Sequence, residues 1–523
     1  MRGLLLAAVL GFTALVYQNS LNSMFVFDVL AVAGALQRGL PPDVAREFGM
    51  NHRPLTWWTY RMDYRHGELD PLWFRVSNLA IHLIAVALVF GIVSLLLGNA
   101  YPAAFGALIF GIHPFFGAAV TYVDARATML AAMFVFAAVY ALLRIPSAWK
   151  WPAASALLAL GLASKEEALV FFPLAFAYGV VMRKKALAVA MAALMIAGVI
   201  GIAFAAPYVG TPLNTSVIVP VESMRINGGY NGVDLVPYWR SVAIGYAFHT
   251  LGNLLLPVKL TIDPMPEYGW LKFAASLAIL LVLAGIALAR RLEPPIRLAA
   301  AALLCCPLLG CFWVLLAEPL FEYRNYALGL GIALASASLY KWAEFWIRPT
   351  PILAGAVVFA LAFGSIHRNE TTRTAIGAWR DALDKAPYKE RPAQNLSADL
   401  LRVGRRDEAE KLLLDEIKVH PEFRGAHANL ALIYLDTNRL DLAERHAKLS
   451  LPISQGYAYL AVAQLKRFNP EAALPLAEKS LADDGSLEVG LMAKSDALTM
   501  LNRMAEAKEV QETINRNRKP KKA

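Results

Sequence analysis

Long apolar runs follow one another along the first two thirds of the chain, separated by short polar segments. Twelve runs approach or reach the length that crosses the apolar core of a bilayer as a helix. They lie near 3–18, 76–98, 101–120, 127–143, 151–163, 168–182, 186–206, 239–257, 270–289, 298–317, 326–340 and 350–366. This pattern predicts an all-α protein whose main body is a polytopic bundle of transmembrane helices.

Basic residues between the runs predict the orientation of this bundle. The basic groups are Arg2, Arg144 with Lys150, Arg183 to Lys185, Arg290 and Arg291 with Arg297, and Lys341 with Arg348. Such groups favour the cytoplasmic side. The first three agree with simple alternation across the membrane, whereas the last two agree only if the run at 239–257 does not cross fully.

Two polar residues within 239–257, His249 and Asn253, lie four apart on one helical face. They favour a re-entrant or interfacial segment, and so about 11 true spans. The loops 19–75 and 207–238 and the C-terminal region then face outward, as do the charged turns at 164–167 and 318–324. Ala- and Leu-rich helices with short loops favour a bacterial inner membrane, so this outer side is expected to be periplasmic. If 239–257 does cross, the C-terminal region is cytoplasmic instead.

The composition changes after residue 366. Residues 367–523 hold 49 of the 90 charged residues, 26 basic and 23 acidic. We therefore expect a membrane domain over 1–366 and a soluble domain over 367–523, which ends in a basic tail at 516–523. The chain's net charge of +10 does not indicate nucleic-acid binding, because the soluble part is nearly balanced and the excess lies in loops between helices.

A spacing of 34 residues recurs in the C-terminal region. It separates Pro387 from Pro421 and Ala409 from Ala443. A 34-residue period with small residues at a helix crossing is typical of tetratricopeptide repeats. Such an α-solenoid offers a concave surface that binds peptides or proteins, and a purely structural cap or dimerisation module is the alternative.

Two candidate chemical groups lie in the first outward loop. Asp28 follows the first helix beside aromatic residues, where an apolar rim would raise its pKa toward that of a general base. An ordinary loop or capping aspartate is the alternative. Arg53 could bind a phosphate through a bidentate fork, and Trp57 and Trp58 are expected in an interfacial belt.

Other polar positions adjoin the apolar runs. Asn78 and His82 share a helical face and are expected to form hydrogen bonds within the bundle. Asp124 and Arg126 are expected to pair at the outer surface. Charged turns also occur at 164–167 and 318–326, and charge at membrane depth indicates a functional site.

In their order along the chain, these segments resemble a known family. They are similar to the membrane glycosyltransferases of the GT-C fold that carry C-terminal tetratricopeptide repeats, which include the transmembrane and tetratricopeptide-repeat O-mannosyltransferases. The resemblance rests on segments that span nearly the whole chain, namely Phe25 to Asp28, Arg53 to Leu55, Asn78 with His82, His113-Pro114, Tyr122 to Arg126, Ser164 to Glu166, Pro257 to Asp263 and Glu322 to Tyr326.

The resemblance implies transfer of a sugar from a polyprenyl-phosphate-linked donor to an exported protein, often at Ser or Thr, on the outer face of the membrane. It places the catalytic acid at Asp28, and Arg53, Lys165 and Arg324 are the candidates for binding the donor phosphate. Membrane lipid and an acceptor protein bound by the repeats are the expected partners. Supporting residues are expected at His52, His113, Asp124, Arg126, Glu166, Glu318, Glu322 and Tyr326.

The chain departs from the family pattern at one position, because Val29 follows Asp28 where relatives commonly have a second acid. A second acid could come from Asp43, Glu47, Asp63 or Asp124, or the enzyme could be altered or inactive. A GT-C transferase with a lipid or polysaccharide acceptor and a non-catalytic membrane scaffold therefore remain alternatives. No Asp-x-Asp motif occurs in the first loop, so neither a metal nor another cofactor is predicted.

Overall fold

A computed structural model describes most of the chain. The described residues are 1–25, 32–33, 36, 53–205, 235–264, 269–312, 321–347, 349–387, 389–482, 485 and 487–518, without the side chains of 198–205, 235–238, 306–312 and 518. All regular elements within these ranges are helices, which confirms the all-α prediction. The described residues form two compact units, and the main boundary between them lies between Thr374 and Ala375.

The first unit contains fifteen of the helices that the structure describes. They are α1 (Arg2–Tyr17), α2 (Pro54–Gly67), α3 (Pro71–Leu97), α4 (Ala100–Ile112), α5 (Pro114–Thr121), α6 (Arg126–Arg144), α7 (Lys150–Ser164), α8 (Phe171–Val181), α9 (Lys185–Ala205), α10 (Leu235–Ile244), α11 (Gly252–Leu255), α12 (Trp270–Leu288), α13 (Pro294–Phe312), α14 (Gly329–Trp346) and α15 (Thr350–Thr371). Short 3-10 helices occur at Gln18–Ser20, Val123–Ala125, Glu166–Val170 and Glu322–Leu328.

The longest helix, α3, shows how local sequence sets the helix ends. Its N-cap Asp70 accepts a hydrogen bond from the backbone N of Leu72 at 3.0 Å, which satisfies a free amide of the first turn. Pro71 occupies the first helical position, where no amide partner is needed. The helix ends at Gly98, whose φ of +69° lies in the left-handed region that glycine adopts readily.

Five described segments are long and apolar enough to cross a membrane, which supports a membrane protein. They are Arg2–Ser20, Pro71–Leu97, Val123–Arg144, Trp270–Leu288 and Thr350–Thr371. A sixth span arises if α4 and α5, bent by 57° at their junction, form one broken span. Among the described residues this corrects the prediction of about 11 spans. Part of the reason is length, because the runs at 151–163 and 168–182 fold as helices of 15 and 11 residues, shorter than a usual span.

The run at 239–257 is an interrupted helix. Helix α10 continues into a π-helix at Gly245–Leu251 and then into α11. Within it, Asn253 Nδ2 donates a hydrogen bond to the backbone oxygen of His249 at 2.8 Å. Asn253 Nδ2 also lies 3.3 Å from His249 Nδ1, so these two polar side chains are close together. The re-entrant or interfacial position of this segment stays a prediction.

The second unit is a succession of short helices. They are α16 (Ala375–Lys385), α17 (Glu390–Arg402), α18 (Arg406–Val419), α19 (Arg424–Asp436), α20 (Leu440–Leu449), α21 (Ser454–Lys466), α22 (Pro470–Ser480), α23 (Glu488–Met500) and α24 (Met504–Arg518). From α16 to α24 each helix packs against the next, and α17, α19, α21 and α23 also contact one another in turn. Ala409 and Ala443, which carry the 34-residue spacing, are buried. Assignment of this stack to the tetratricopeptide class stays a prediction.

Candidate functional site

Three basic side chains from distant parts of the sequence lie in one group of charges. Arg53 precedes α2, Lys165 follows α7, and Arg324 lies in the 3-10 helix Glu322–Leu328. Two carboxylates, Glu166 and Glu167, lie between them. These five residues are called the charged cluster below. The structure thus brings together the three predicted phosphate-binding residues, and their role in binding stays a prediction.

Each of the three cations lies beside one of the two carboxylates. Arg53 Nη2 lies 3.3 Å from Glu166 Oε1. The carboxylate oxygen Oε1 of Glu167 lies 2.7 Å from Lys165 Nζ and 3.9 Å from Arg324 Nη1. The Lys165 side chain is 5% exposed, whereas those of Arg53 and Glu166 are 34% and 41% exposed. The cluster therefore has a buried end at Lys165 and a solvent-facing end at Arg53.

Hydrogen bonds from neighbouring helices fix the turn that carries Lys165. The hydroxyl of Thr56, in the first turn of α2, donates to the backbone oxygen of Ser164 at 3.0 Å. This bond holds the start of α2, and hence Arg53, beside the end of α7. Lys165 Nζ donates to Thr128 Oγ1 of α6 at 2.8 Å. Helices α2, α6 and α7 thus position Arg53 and Lys165.

The charges of the cluster influence one another strongly. Burial lowers the pKa of Lys165, and the neighbouring Arg324 and Arg53 add to that effect, while Glu167 opposes it. Burial alone would raise the pKa of Glu166, but Arg53 and Lys165 hold it below its usual value. Three cations and two carboxylates leave one net positive charge within the cluster. Such a site favours an anion.

Aromatic rings adjoin the cations. The ring centroid of Tyr323 lies 5.9 Å from Lys165 Nζ and 5.6 Å from Arg324 Cζ, within the range of cation–π attraction. Phe321 stacks on Tyr323 at 5.5 Å, and Tyr122 meets the Tyr323 ring edge-on at 5.6 Å. These rings give the cluster an apolar wall. Sequence reasoning did not single out Tyr323, although it directly precedes Arg324.

Arg126 is not at the surface, so the expected exposed position of this residue is wrong. It is fully buried, and its Nη1 lies 2.5 Å from Asp63 Oδ2. Its Nε donates to Asn78 Oδ1 and its Nη2 to the backbone oxygen of Phe74, both at 2.7 Å. A guanidinium with five donors can be buried only where acceptors surround it. Arg126 therefore joins α2, α3 and α6 beside the cluster, and it commits Asp63 to a structural pair.

Asp124 lies close enough to the site to act on it electrostatically. Its carboxylate raises the pKa of Tyr60 after the larger effect of burial, and it favours the charged form of Arg324. Tyr60 donates a hydrogen bond to the backbone oxygen of Val123 at 3.0 Å. Asp124 is therefore an acidic neighbour of the charged cluster.

Asn78 and His82 form hydrogen bonds within the bundle, as predicted. Asn78 accepts from Arg126, and its Nδ2 lies 3.3 Å from the backbone oxygens of Val120 and Tyr122. His82 Nε2 lies 2.9 Å from the backbone oxygen of Gly111 and its Nδ1 lies 2.6 Å from the Tyr326 hydroxyl. Because the carbonyl can only accept, Nε2 donates and Nδ1 accepts from Tyr326.

His113 is the N-cap of α5. Its Nδ1 accepts from the backbone N of Phe115 at 3.2 Å, and its Nε2 donates to the backbone oxygen of Leu254 at 3.2 Å. Both ring nitrogens are therefore committed to backbone groups. This arrangement fixes the bend between α4 and α5 and gives His113 a structural task.

Glu322 is buried within the first unit. Its carboxylate accepts from Arg368 Nη2 at 2.5 Å and from the backbone N of Thr261 at 2.8 Å. His249 Nε2 lies 3.3 Å from the same carboxylate. Glu322 thus connects the 3-10 helix that carries Arg324 to α15 and to the segment after α11. Glu322 therefore supports the site by stabilising the position of this 3-10 helix.

Several predicted positions lie outside the described residues. They are Asp28, His52, Asp43, Glu47 and Glu318. The described residue closest to Asp28 in sequence is Phe25. Just before it, the backbone oxygens of Ser23 and Met24 accept from Arg75 at 3.0 and 2.5 Å, and Thr121 O accepts from the same guanidinium at 2.5 Å. Sequence reasoning missed this role of Arg75. The signal that could have indicated it is an arginine at the start of a long apolar run.

Among the residues that the structure describes, no group of three or more His, Cys, Asp or Glu side chains has an arrangement suited to a metal ion.

Comparison with known proteins gives a partial similarity. The chain is 29% identical over 148 residues to the human protein O-mannosyl-transferase TMTC3, and 35% identical over 88 residues to the mouse protein of that name. These alignments cover 25% and 17% of this chain, and only 16% and 10% of the two relatives. No family model matches the chain. The similarity supports a relationship to glycosyltransferases of this kind.

Proposed function

We propose that this protein is a membrane glycosyltransferase that moves a sugar from a polyprenyl-phosphate-linked donor to an exported protein. The observation that carries the proposal is the charged cluster, in which Arg53, Lys165 and Arg324 meet although up to 271 positions separate them in sequence. The name of the partial relatives, protein O-mannosyl-transferase, points to the same reaction class.

The proposed sugar transfer requires cations at the position where negative charge develops. The acceptor hydroxyl attacks the anomeric carbon of the sugar, the bond from that carbon to the phosphate oxygen breaks, and the polyprenyl phosphate leaves with the electron pair. A carboxylate that takes the hydroxyl proton completes the balance, and Asp28 is the proposed base. Lys165 and Arg324 would stabilise the departing phosphate, as preorganised charges do in general.

In this proposal, Glu166 and Glu167 are the partners of the cations before a phosphate binds. They hold the three cations at fixed positions, so little rearrangement is needed when a phosphate arrives. The phosphate then competes with the two carboxylates for the same donors. Lys165 is the cation with the least access to water, so its attraction to a phosphate is the least screened.

The second unit supplies a natural place for the acceptor. Its stacked helices resemble the solenoids that bind extended peptides. We therefore propose that this unit recruits the exported protein on the outer face of the membrane. A lipid or polysaccharide acceptor, and a scaffold without transfer activity, are the competing functions.

Transfer assays with the purified full-length protein test the proposal. The donor is polyprenyl-phosphate-mannose with a labelled sugar, and the acceptor is a mixture of Ser- and Thr-rich exported proteins. Transfer by the wild type, and its loss in Lys165→Gln and Asp28→Asn with unchanged folding, is the expected result. Label entering lipid or glycan instead of protein would favour the second function, and no transfer from this or other polyprenyl-linked sugars would favour the scaffold.

A further inference from the structure

An apolar cavity lies in the first unit at the helix ends far from the charged cluster. Helix α6 begins beside the cluster, where Thr128 contacts Lys165, and ends at Arg144. At 1.5 Å per residue its two ends are about 27 Å apart. Helix α7 runs back along it, from Lys150 to the Ser164 that contacts α2. Lys150 thus marks the end of the bundle opposite the charged cluster.

The cavity combines apolar walls with two lysines. Its volume is about 130 Å³, and the walls are mainly Leu, Ile, Val and Ala side chains of α3, α6, α8, α9, α13 and α14. Lys150 and Lys184 line it together with Trp151 and Tyr178. The volume is close to that of an engineered apolar cavity of about 150 Å³ that binds benzene, so the cavity is large enough for a short piece of an acyl chain.

The local structure holds the two ammonium groups near aromatic rings. Helices α8 and α9 are joined by a turn in which Arg183 adopts a positive φ of 57° and Lys184 N donates to the backbone oxygen of Gly179 at 2.7 Å. This turn places Lys184 Nζ 5.0 Å from the ring centroid of Tyr178 and 3.2 Å from its hydroxyl. Lys150 Nζ lies 5.6 Å from the Trp151 ring.

These lysines lack a carboxylate partner within the part of the chain that the structure describes. Lys150 and Lys184 take part in no ion pair there, in contrast to Lys341, which lies 3.0 Å from Glu293. Arg2 and Arg144 line a second open groove formed by α1, α3 and α6. Basic residues and apolar grooves therefore coincide at this end of the bundle.

We propose that this cavity binds an anionic phospholipid, with an acyl chain against the apolar walls and the phosphate on Lys150 and Lys184. Basic pockets between transmembrane helices bind anionic headgroups in this way. The aromatic residues Trp151 and Tyr178 suit the headgroup level, where amphipathic rings concentrate. By the positive-inside rule this is the cytoplasmic leaflet. The inference is independent of the proposed transferase reaction.

Lipid binding by the full-length protein in detergent tests the proposal. The probe is phosphatidylglycerol with brominated acyl chains, because bromine quenches the fluorescence of a nearby tryptophan such as Trp151. Phosphatidylcholine with the same chains is the comparison. We expect quenching at lower concentrations of phosphatidylglycerol, and loss of the Trp151 part of the quenching in Trp151→Phe.

The decisive variant is Lys150→Gln with Lys184→Gln. Removing two headgroup contacts should weaken phosphatidylglycerol binding by roughly tenfold or more. The matched control is Arg290→Gln with Arg291→Gln, which removes two exposed basic residues that do not line the cavity. Ala302→Leu, which fills the cavity from α13, should weaken the binding of both lipids.

Three outcomes would overturn the proposal. The first is equal binding of phosphatidylglycerol by the wild type and the double lysine variant. The second is an equal affinity for phosphatidylcholine, which would make the cavity merely apolar. The third is a stronger preference for polyprenyl phosphate than for phosphatidylglycerol, which would assign the cavity to the donor lipid.

Discussion

The ammonium group of Lys165 lies 2.7 Å from the Glu167 carboxylate, and both residues belong to the turn that joins α7 to α8. The same carboxylate lies 3.9 Å from Arg324, which arrives from a segment almost 160 positions later. Glu167 therefore lies beside one cation that is close to it in sequence and one that is distant in sequence. A half-buried carboxylate between two cations holds them in place, and a phosphate can replace it as their partner.

The buried Arg126–Asp63 pair should be essential for stability. Asp63→Asn removes the charge opposite a fully buried guanidinium, and loss of one partner of such a pair costs about 3–5 kcal/mol. We expect a clearly lower apparent midpoint of thermal unfolding of the full-length protein in detergent. Glu293→Gln is the control, because the exposed Lys341–Glu293 pair should contribute less than about 1 kcal/mol. Equal midpoints for the two variants would contradict this account of Arg126.

Close packing of α4 against α14 depends on Gly106. A Cβ atom at this position would meet the backbone oxygen of Ala333 at 2.2 Å, so Gly106→Ala forces the two helices apart. Overpacking of this kind costs about 1–3 kcal/mol, and a lower unfolding midpoint is expected. In Gly285→Ala the new methyl group meets no atom within 4 Å. That variant should unfold at the wild-type midpoint or slightly above it, and a matching loss in both would refute the packing argument.

A histidine pair makes the second unit sensitive to acid. His427 Nε2 lies 2.9 Å from the backbone oxygen of Pro421 and therefore donates, so His427 Nδ1 accepts from His446 Nδ1 at 2.9 Å. Burial, and then the neighbouring His427 and Arg445, lower the pKa of His446 to about 4. Because the unfolded histidine has a pKa near 6.5, the unfolded state binds more protons between these values. Stability therefore falls as the pH drops from about 6.5 toward 4.

Hydrogen exchange of the full-length protein measures this effect. After correction for intrinsic exchange rates, peptides of α19 and α20 should lose protection between pH 7.5 and pH 5. His446→Asn removes the titrating group and should flatten that pH dependence. A wild-type protein with the same corrected protection at both pH values would contradict the predicted direction.

The sequence predicts the helical class well, because it depends on composition and local pattern. Buried Ala409 and Ala443 show that their spacing reports real core positions. Pairing is harder to predict, since Arg126 was expected beside the nearby Asp124 and instead contacts Asp63 of another helix. Such contacts depend on how helices pack, which a local pattern does not contain. The predicted number of membrane spans was wrong partly because apolar runs shorter than a usual span were included in it.

A resemblance to a family can group residues that no local sequence pattern connects, as the three cations show. Arg53, Lys165 and Arg324 stand in unrelated local contexts, and no periodicity connects them. The family pattern grouped them as candidates for one phosphate, and the structure places them around two carboxylates. The supporting hydrogen bond from Thr56 to the backbone of Ser164 has no signal in the sequence.

Direct binding of the donor lipid tests the central claim most sharply. Full-length protein in detergent is titrated with polyprenyl phosphate, and the Kd of the wild type is compared with those of Lys165→Gln and Arg324→Gln. Lys341→Gln serves as the control, because Lys341 lies outside the charged cluster and pairs with Glu293. The account predicts that each cluster variant binds at least about tenfold more weakly, as expected for a charge-assisted hydrogen bond worth roughly 1.5–3 kcal/mol, while the control binds like the wild type. Unchanged affinity in both properly folded cluster variants would contradict the claim that this cluster is the donor phosphate site.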